Sequence, residues 1–423
     1  MHELVRAPIL DLTNSRRLQR GEHRRDHRGD CAASMPEAVV AHDYLTQRGG
    51  AERVALALLS AFPGAPMVTS VYDSTRTFPG YGGHRVRTSA LQQIPLFRRD
   101  PRFALPLLAS TWGRTIVSSA DVVVASSSGW AHGVVTTPGV RKIVYCHNPA
   151  RWLYQPDDYV NGSRQGKAVM AVLRKRLIEW DLRAAQSADR YLVNSSVVRD
   201  RVRRVYGINA EVLSPPVSVD VHAERHAVPG IKPGFFLTVA RGRAYKNTDT
   251  VAEAIAGLSG HRLVVVGGDR RSTSGQTTHL GVVTDAELRW LYAHARALVS
   301  VSHEDFGLTP IEANAFGTPA LLLRSGGFLD TLREGVSGAY IDEPTAGAVR
   351  SAVRVMDEFD PAAVTAHATT YSIESFVSRL HAIVDEVTTL PVFAPPQYGD
   401  LLDLRPLDLK VERRESPRRT RSA

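Results

Sequence analysis

The chain has 423 residues, 43% of them hydrophobic and 22% charged, with a net charge of +9. That length overfills one ordinary core and suits two domains, and the composition is that of a globular chain, not a disordered or fibrous one. No apolar run approaches the roughly 18 residues that cross a bilayer, and the two cysteines, Cys31 and Cys146, make no disulfide framework.

Residues 1–34 lack sustained periodicity and carry Arg16-Arg17 and Arg24-Arg25, so a disordered basic arm is expected there. The arm has no continuous apolar segment of the secretory type, and with so few cysteines a cytoplasmic location is expected. Short apolar runs then alternate with helical patterns, the mark of doubly wound α/β domains. The spacing predicts strands at Ala38–Ala41, Met67–Tyr72, Val122–Ala125, Ile143–Cys146, Tyr191–Val193 and Glu211–Leu213. Helical spacing covers Ala51–Ala61 and Val169–Ala185. A segment from Val217 to Pro233, with Pro229 and Gly230, reads as a hinge. Beyond it, strands are predicted at Phe235–Val239, Leu263–Val266, Ala297–Val301, Ala320–Leu323 and Ala339–Ile341, with helices at Thr248–Leu258, Asp285–Ala295 and Ala346–Met356.

The expected fold class is therefore α/β, with one Rossmann-like domain at 35–222 and a second at 223–370. A C-terminal helix at 371–390 is expected to pack back on the first domain, and 391–423 is expected to be a disordered tail. The charge is unevenly shared. Residues 35–222 hold 23 basic against 14 acidic side chains, whereas 223–399 hold 15 against 19. A basic first domain attracts phosphates, whether of a nucleotide, a nucleic acid or an acidic lipid headgroup.

The densest chemical signal is Glu304-Asp305-Phe306-Gly307-Leu308-Thr309-Pro310-Ile311-Glu312. It follows a predicted strand and opens a helix, with Pro310 suited to the first turn. Such crossovers at the carboxyl ends of parallel strands bind ligands. Gly307 admits close approach of a ligand, and the N–H groups of Gly307, Leu308 and Thr309 are expected to face an anion. Glu304 before the helix and Glu312 within it can grip hydroxyls on two parts of one ligand. After the second domain's first strand, Arg241 and Lys246 stand five apart across a turn and can reach one diphosphate, neutralising a leaving group without a metal. In the first domain, Gly49-Gly50 opens a helix and suits closure over a pyrophosphate, while His147 follows the strand ending at Cys146.

Together these residues resemble the family 4 glycosyltransferases, of the glycogen-synthase-like retaining branch. The family's acidic motif, written E-x-F-G-L-x-x-x-E-A-x-A-x-G-x-P, resembles Glu304 to Glu312 with Ala313, Ala315, Gly317 and Pro319. Its phosphate motif resembles Arg241 to Lys246, with Ala240 where the family has glycine. Gly267-Gly268 and Gly281–Leu288 resemble its second glycine turn and its base-binding loop, with Val282 where many members carry Arg or Lys. The run Tyr145 to Tyr154 looks most like the branch that adds mannose in cell-surface polysaccharide assembly.

The resemblance implies a GT-B fold, two Rossmann-like domains facing a cleft, and transfer of a sugar with retention. Mannose from GDP-mannose is the first expectation and a UDP-sugar the alternative. His147, Glu304, Arg241 and Lys246 are the implied catalytic residues. Gly49, Gly50, Phe306, Gly307, Leu308, Thr309 and Glu312 are the implied substrate-binding ones. No metal and no cofactor is implied beyond the nucleotide-sugar co-substrate. A glycan or lipid-linked acceptor is expected, with an anionic membrane surface as a partner at the inner face of the plasma membrane, as Arg98-Arg99 and Arg174-Lys175-Arg176 fit. A nucleic-acid-binding protein would share the basic character, yet no aromatic-basic recognition motif is present. A nicotinamide dehydrogenase would share the fold, yet no G-x-G-x-x-G followed by an acidic residue is found. A GT-B epimerase or phosphorylase would share the architecture.

Overall fold

The computed structural model describes residues 35–154, 164–217, 219–240, 247–354 and 359–389. The predicted arm and tail lie outside them, as do Arg241 to Lys246.

The first lobe is built on β1 (Ala38–His42), β2 (Met67–Thr69), β3 (Val86–Thr88), β5 (Val122–Ser127), β7 (Arg141–Cys146), β8 (Arg190–Val193) and β9 (Glu211–Val212). They form one sheet in the order β3-β2-β1-β5-β7-β8-β9, all pairs parallel. β4 (Ile116–Val117) and β6 (Val135–Thr136) form a separate two-stranded sheet. The second lobe holds β10 (Phe235–Val239), β11 (Leu263–Ser274), β12 (Thr277–Gly281), β13 (Ala295–Ser300), β14 (Ala320–Leu323) and β15 (Gly338–Ile341), ordered β12-β11-β10-β13-β14-β15. Both lobes are α/β and Rossmann-like.

Continuous apolar runs become strands here because both faces of each sheet are covered. In the first lobe Val39, Ala41, Val123, Ala125, Val144 and Val193 enter one core layer. Their neighbours Val40, Val122, Val124, Ile143, Tyr145 and Leu192 enter the other. That is the two-residue alternation of a pleated strand with both layers apolar.

The second layer is closed by helix Gly50–Ala61 and by the last described helix, Ile373–Thr389. Phe376, Leu380, Ile383, Val384 and Val387 lie on one face of the latter and are buried with the first lobe's core. His381 Nε2 lies 2.6 Å from the Ala61 carbonyl. The chain thus crosses between lobes twice, and the crossings touch, since the Val217 N–H donates to the Tyr371 carbonyl at 2.8 Å. Leu380 is fully buried. Leu380→Ala is expected to cost about 2–5 kcal/mol in urea denaturation, the usual toll of a core cavity. A loss below about 1 kcal/mol would show that the helix is not seated there.

Several short strands carry no clear alternation and are absent from the sequence reading. β3 is Val-Arg-Thr and only half-buried, and β12 is a Thr-Thr-His-Leu-Gly edge strand. The predicted Leu263–Val266 strand extends to Ser274. Ser272–Ser274 folds back on β12 with Ser272 opposite His279 and Ser274 opposite Thr277. Met67–Tyr72 is strand only to Thr69, and β13 begins at Ala295, which helical spacing assigned to the preceding helix.

Candidate active site

β13 delivers the chain into a loop and then the helix Leu308–Asn314. Gly307 has φ 89°, and a Cβ on it would stand 2.5 Å from the Phe328 ring, so glycine is required twice over. The loop rests on a second glycine turn that the spacing did not foreshadow. The Gly327 N–H donates to the Glu304 carbonyl at 2.9 Å, and a Cβ on Gly327 would meet the Asp305 carbonyl at 2.4 Å. Glu304 is half-buried, and its Oε1 accepts from the Ser302 hydroxyl at 2.8 Å. Phe306 turns inward. Its ring is buried with Ile311 and Ala368 and meets Tyr371 edge-on at 6.1 Å, so the ring props the loop and only backbone remains for a ligand.

Asp305 faces the first lobe. Its carboxylate accepts from Asn148 Nδ2 at 2.8 Å and Arg201 at 2.9 Å, and it also pairs with Arg151. The Ser195 hydroxyl donates to the Asp305 carbonyl at 2.5 Å while accepting from the Val198 N–H as the cap of helix Ser196–Tyr206. Nearby, Asp330 accepts from the N–H and hydroxyl of Ser196, both at 2.9 Å. Glu312 is buried; Arg53 of the first lobe donates to one of its oxygens at 2.6 Å and Tyr292 to the other at 2.8 Å. Next to Arg53, a Cβ on Gly50 would lie 3.6 Å from a δ-carbon of Leu308. Charge-assisted bonds of this kind are about twice as strong as neutral ones, so the loop is firmly tied across the cleft.

His147 directly follows β7 on the facing wall. Its Nε2 lies 2.8 Å from the Ser126 hydroxyl, which is 3.0 Å from His42 Nδ1. Burial, then the nearby His42, pushes its pKa down to about 3, so the imidazole is neutral at physiological pH. The next residue, Asn148, has its amide nitrogen on Asp305, while its Oδ1 is buried without a hydrogen-bond partner among the described residues.

The structure brings Gly49, Gly50 and His147 of the first lobe to one cleft with Glu304, Phe306, Gly307, Leu308, Thr309 and Glu312 of the second. Each stands near the carboxyl end of a parallel strand. Arg241 and Lys246 lie outside the described residues. On their flank, Asn247 adopts φ 48° and donates to the Val301 carbonyl at 3.0 Å, three residues before Glu304. Sequence reasoning missed Asp305, Arg53, Asn148, Arg151, Ser195 and Arg201 as a set. Asp305 sits inside the quoted acidic motif, but its partners come from two separate segments, Asn148–Arg151 and Ser195–Arg201, which no spacing rule links to it. Among the described residues no group of three His, Cys, Asp or Glu could hold a metal ion, and no helix is long and apolar enough to cross a membrane.

Comparison with known proteins bears on the family and the fold. The family model "Glycosyltransferase Family 4" matches residues 48–221, and "Glycosyl transferases group 1" matches residues 223–356. The D-inositol 3-phosphate glycosyltransferases of Mycobacterium tuberculosis and Mycobacterium bovis are 27% identical over 234 residues. That match covers 46% of this chain and 48% of the relative, so the chain spans about half the length of the curated relatives it matches. The fold is that of Anabaena Alr3699/HepE, solved in complex with UDP-glucose, with a TM-score of 0.60 and 15% identity over 83% of this chain and 100% of that one. Sucrose-phosphate synthase from Thermosynechococcus elongatus gives 0.56 and 17% over 83% and 99%. With two Rossmann-like lobes and the two models side by side from residue 48 to residue 356, the chain belongs to the family 4 glycosyltransferases, with the GT-B fold.

Proposed function

We propose that this protein transfers a sugar, with retention and without a metal, from a nucleotide diphosphate donor to a glycan or lipid-linked acceptor in cell-surface polysaccharide or glycolipid synthesis. Mannose from GDP-mannose is the first donor to test. The carrying observation is the placement of the Glu304–Glu312 segment against Gly50, Arg53 and Asn148 in one cleft.

In this reading the second lobe holds the nucleotide, and Glu312 accepts from ribose hydroxyls. Arg53 occupies one Glu312 oxygen, so donor entry exchanges that ion pair for nucleotide contacts. Arg241 and Lys246, with the backbone at Gly307 to Thr309, stabilise charge on the departing diphosphate. Glu304 orients the sugar through its hydroxyls, and the orphaned Asn148 Oδ1 supplies an acceptor for one more. A neutral His147 suits orientation by hydrogen bonding and adds no charge of its own. The acceptor attacks from the face that the diphosphate leaves, and a phosphate oxygen takes its proton. Closure of the lobes excludes the water that would hydrolyse the donor. The basic first lobe suits an acidic acceptor at the inner membrane face, and the mycobacterial relative's name carries a phosphorylated inositol.

The test is a thermal-shift series with GDP, GDP-mannose, UDP and UDP-glucose. A ligand at 100 times its Kd adds about 2.7 kcal/mol, enough for a shift of a few degrees. GDP and GDP-mannose are expected to give the largest shifts. A larger response to the uridine pair transfers the donor assignment to them, and no response to any nucleotide sinks the reading.

A further inference from the structure

A second feature of the first lobe lies between helices Leu105–Trp112 and Arg164–Gln186: a cavity of about 380 Å³. Pro106, Ala109, Leu177 and Trp180 make its apolar walls, and Arg114 and Arg176 stand at it. Both arginines are exposed, and neither guanidinium makes a hydrogen bond or ion pair among the described residues. An open, mostly apolar depression flanked by two uncommitted guanidiniums fits an amphiphile with a phosphate at one end.

The surface around it supplies the source. Eight large apolar side chains are exposed among the described residues, and four of them, Ile94, Leu96, Phe103 and Leu107, fall within the stretch leading into the cavity. Phe103 is 59% exposed and Leu107 45%. Phe97, by contrast, packs inward on the core, so the helix Pro95–Arg99 shows Leu96, Arg98 and Arg99 to solvent. The single acidic residue of the stretch, Asp100, is already paired with Arg102. Exposed apolar side chains interleaved with unpaired arginines are the pattern of a surface that sits in the headgroup layer of an anionic bilayer.

The geometry points to a phospholipid site: this face docks on an anionic membrane, with a lipid phosphate held by Arg114 and Arg176 and an acyl chain against Leu177 and Trp180. The inference deepens the membrane-side acceptor of the proposed function. Its test needs neither donor nor transfer, so its failure leaves the sugar chemistry standing.

The full chain is sedimented at low salt with vesicles of phosphatidylcholine, alone or mixed with phosphatidylglycerol. Binding is expected only to the mixed vesicles. The pair Arg114→Gln with Arg176→Gln is expected to weaken it roughly 10- to 30-fold, from about 1 kcal/mol per basic residue near a charged surface. Arg203→Gln with Arg204→Gln removes the same charge from another helix of the lobe and is expected to bind like the parent. Vesicles with brominated acyl chains are expected to quench tryptophan fluorescence in the parent and less in Trp180→Phe. A parent chain that stays in the supernatant overturns the site. So does an equal loss in the two arginine pairs, which would make the attraction a diffuse property of the lobe, and so does quenching that Trp180→Phe leaves unchanged.

Discussion

Asp305→Ala is expected to lower transfer about 100-fold and stability by about 2–4 kcal/mol together. The reason is the company the carboxylate keeps. Arg151 and Arg201 converge on it from the first lobe, one from the short helix Arg151–Tyr154 and the other from helix Ser196–Tyr206. Removing the acid takes away the counter-charge that these two half-buried guanidiniums share. The penalty sits at the lower end for broken buried pairs because the partners keep 21–31% of their side-chain exposure. The loss of transfer has a geometric cause. Asp305 is bonded to Glu304 in the chain, so releasing the clasp frees the loop that carries the acid proposed to bind the sugar, and a displacement of an ångström is enough for such a fall. Arg201→Ala is expected to cost less on both counts, since Asn148 and Arg151 still hold the carboxylate. Urea midpoints, a transfer assay and small-angle scattering with donor present make the check. If transfer falls while the midpoint and the scattering profile stay put, Asp305 acts on the substrate and not as an interlobe tie.

That clasp also shows what the sequence could and could not reveal. Central strands such as Phe235–Val239 and Ala320–Leu323 are legible because burial on both faces demands unbroken apolar runs. Helix Asp285–His294 is legible at its start because Thr284 and Glu287 form a reciprocal cap. Edge strands such as Thr277–Gly281 are not, since two threonines and a histidine among its five residues give no apolar run and no clean alternation. The site follows the same rule. Gly307 announces itself beside Glu304, but the turn that braces it, Gly326-Gly327, comes some twenty residues later and shows only as two glycines. Arg53 against Glu312 joins residues 259 apart, and Asn148 against Asp305 joins residues 157 apart. Side-chain ties of this length belong to tertiary packing, and local periodicity holds no record of them.

Glu304 is the place where chemistry and architecture come apart, and Glu304→Ala is expected to lower transfer at least about 100-fold while leaving the urea midpoint close to that of the parent. Its Oε1 accepts from Ser302 two residues before it, while the loop is anchored through the Glu304 carbonyl and through Asp305. Alanine keeps that carbonyl and that neighbour, so both ties stay in place, while on the proposed reading the sugar loses its orienting acid. Lys246→Ala is expected to fall as far, by withdrawing a cation from the departing diphosphate. The two losses should differ in kind. Without Glu304 the nucleotide still stabilises the protein in the thermal-shift series, because Glu312 and the cations remain; without Lys246 stabilisation by the diphosphate itself weakens. Near-normal turnover by either variant removes that residue from the site. A Glu304 variant that no longer responds to the nucleotide moves the acid from the sugar to the nucleotide.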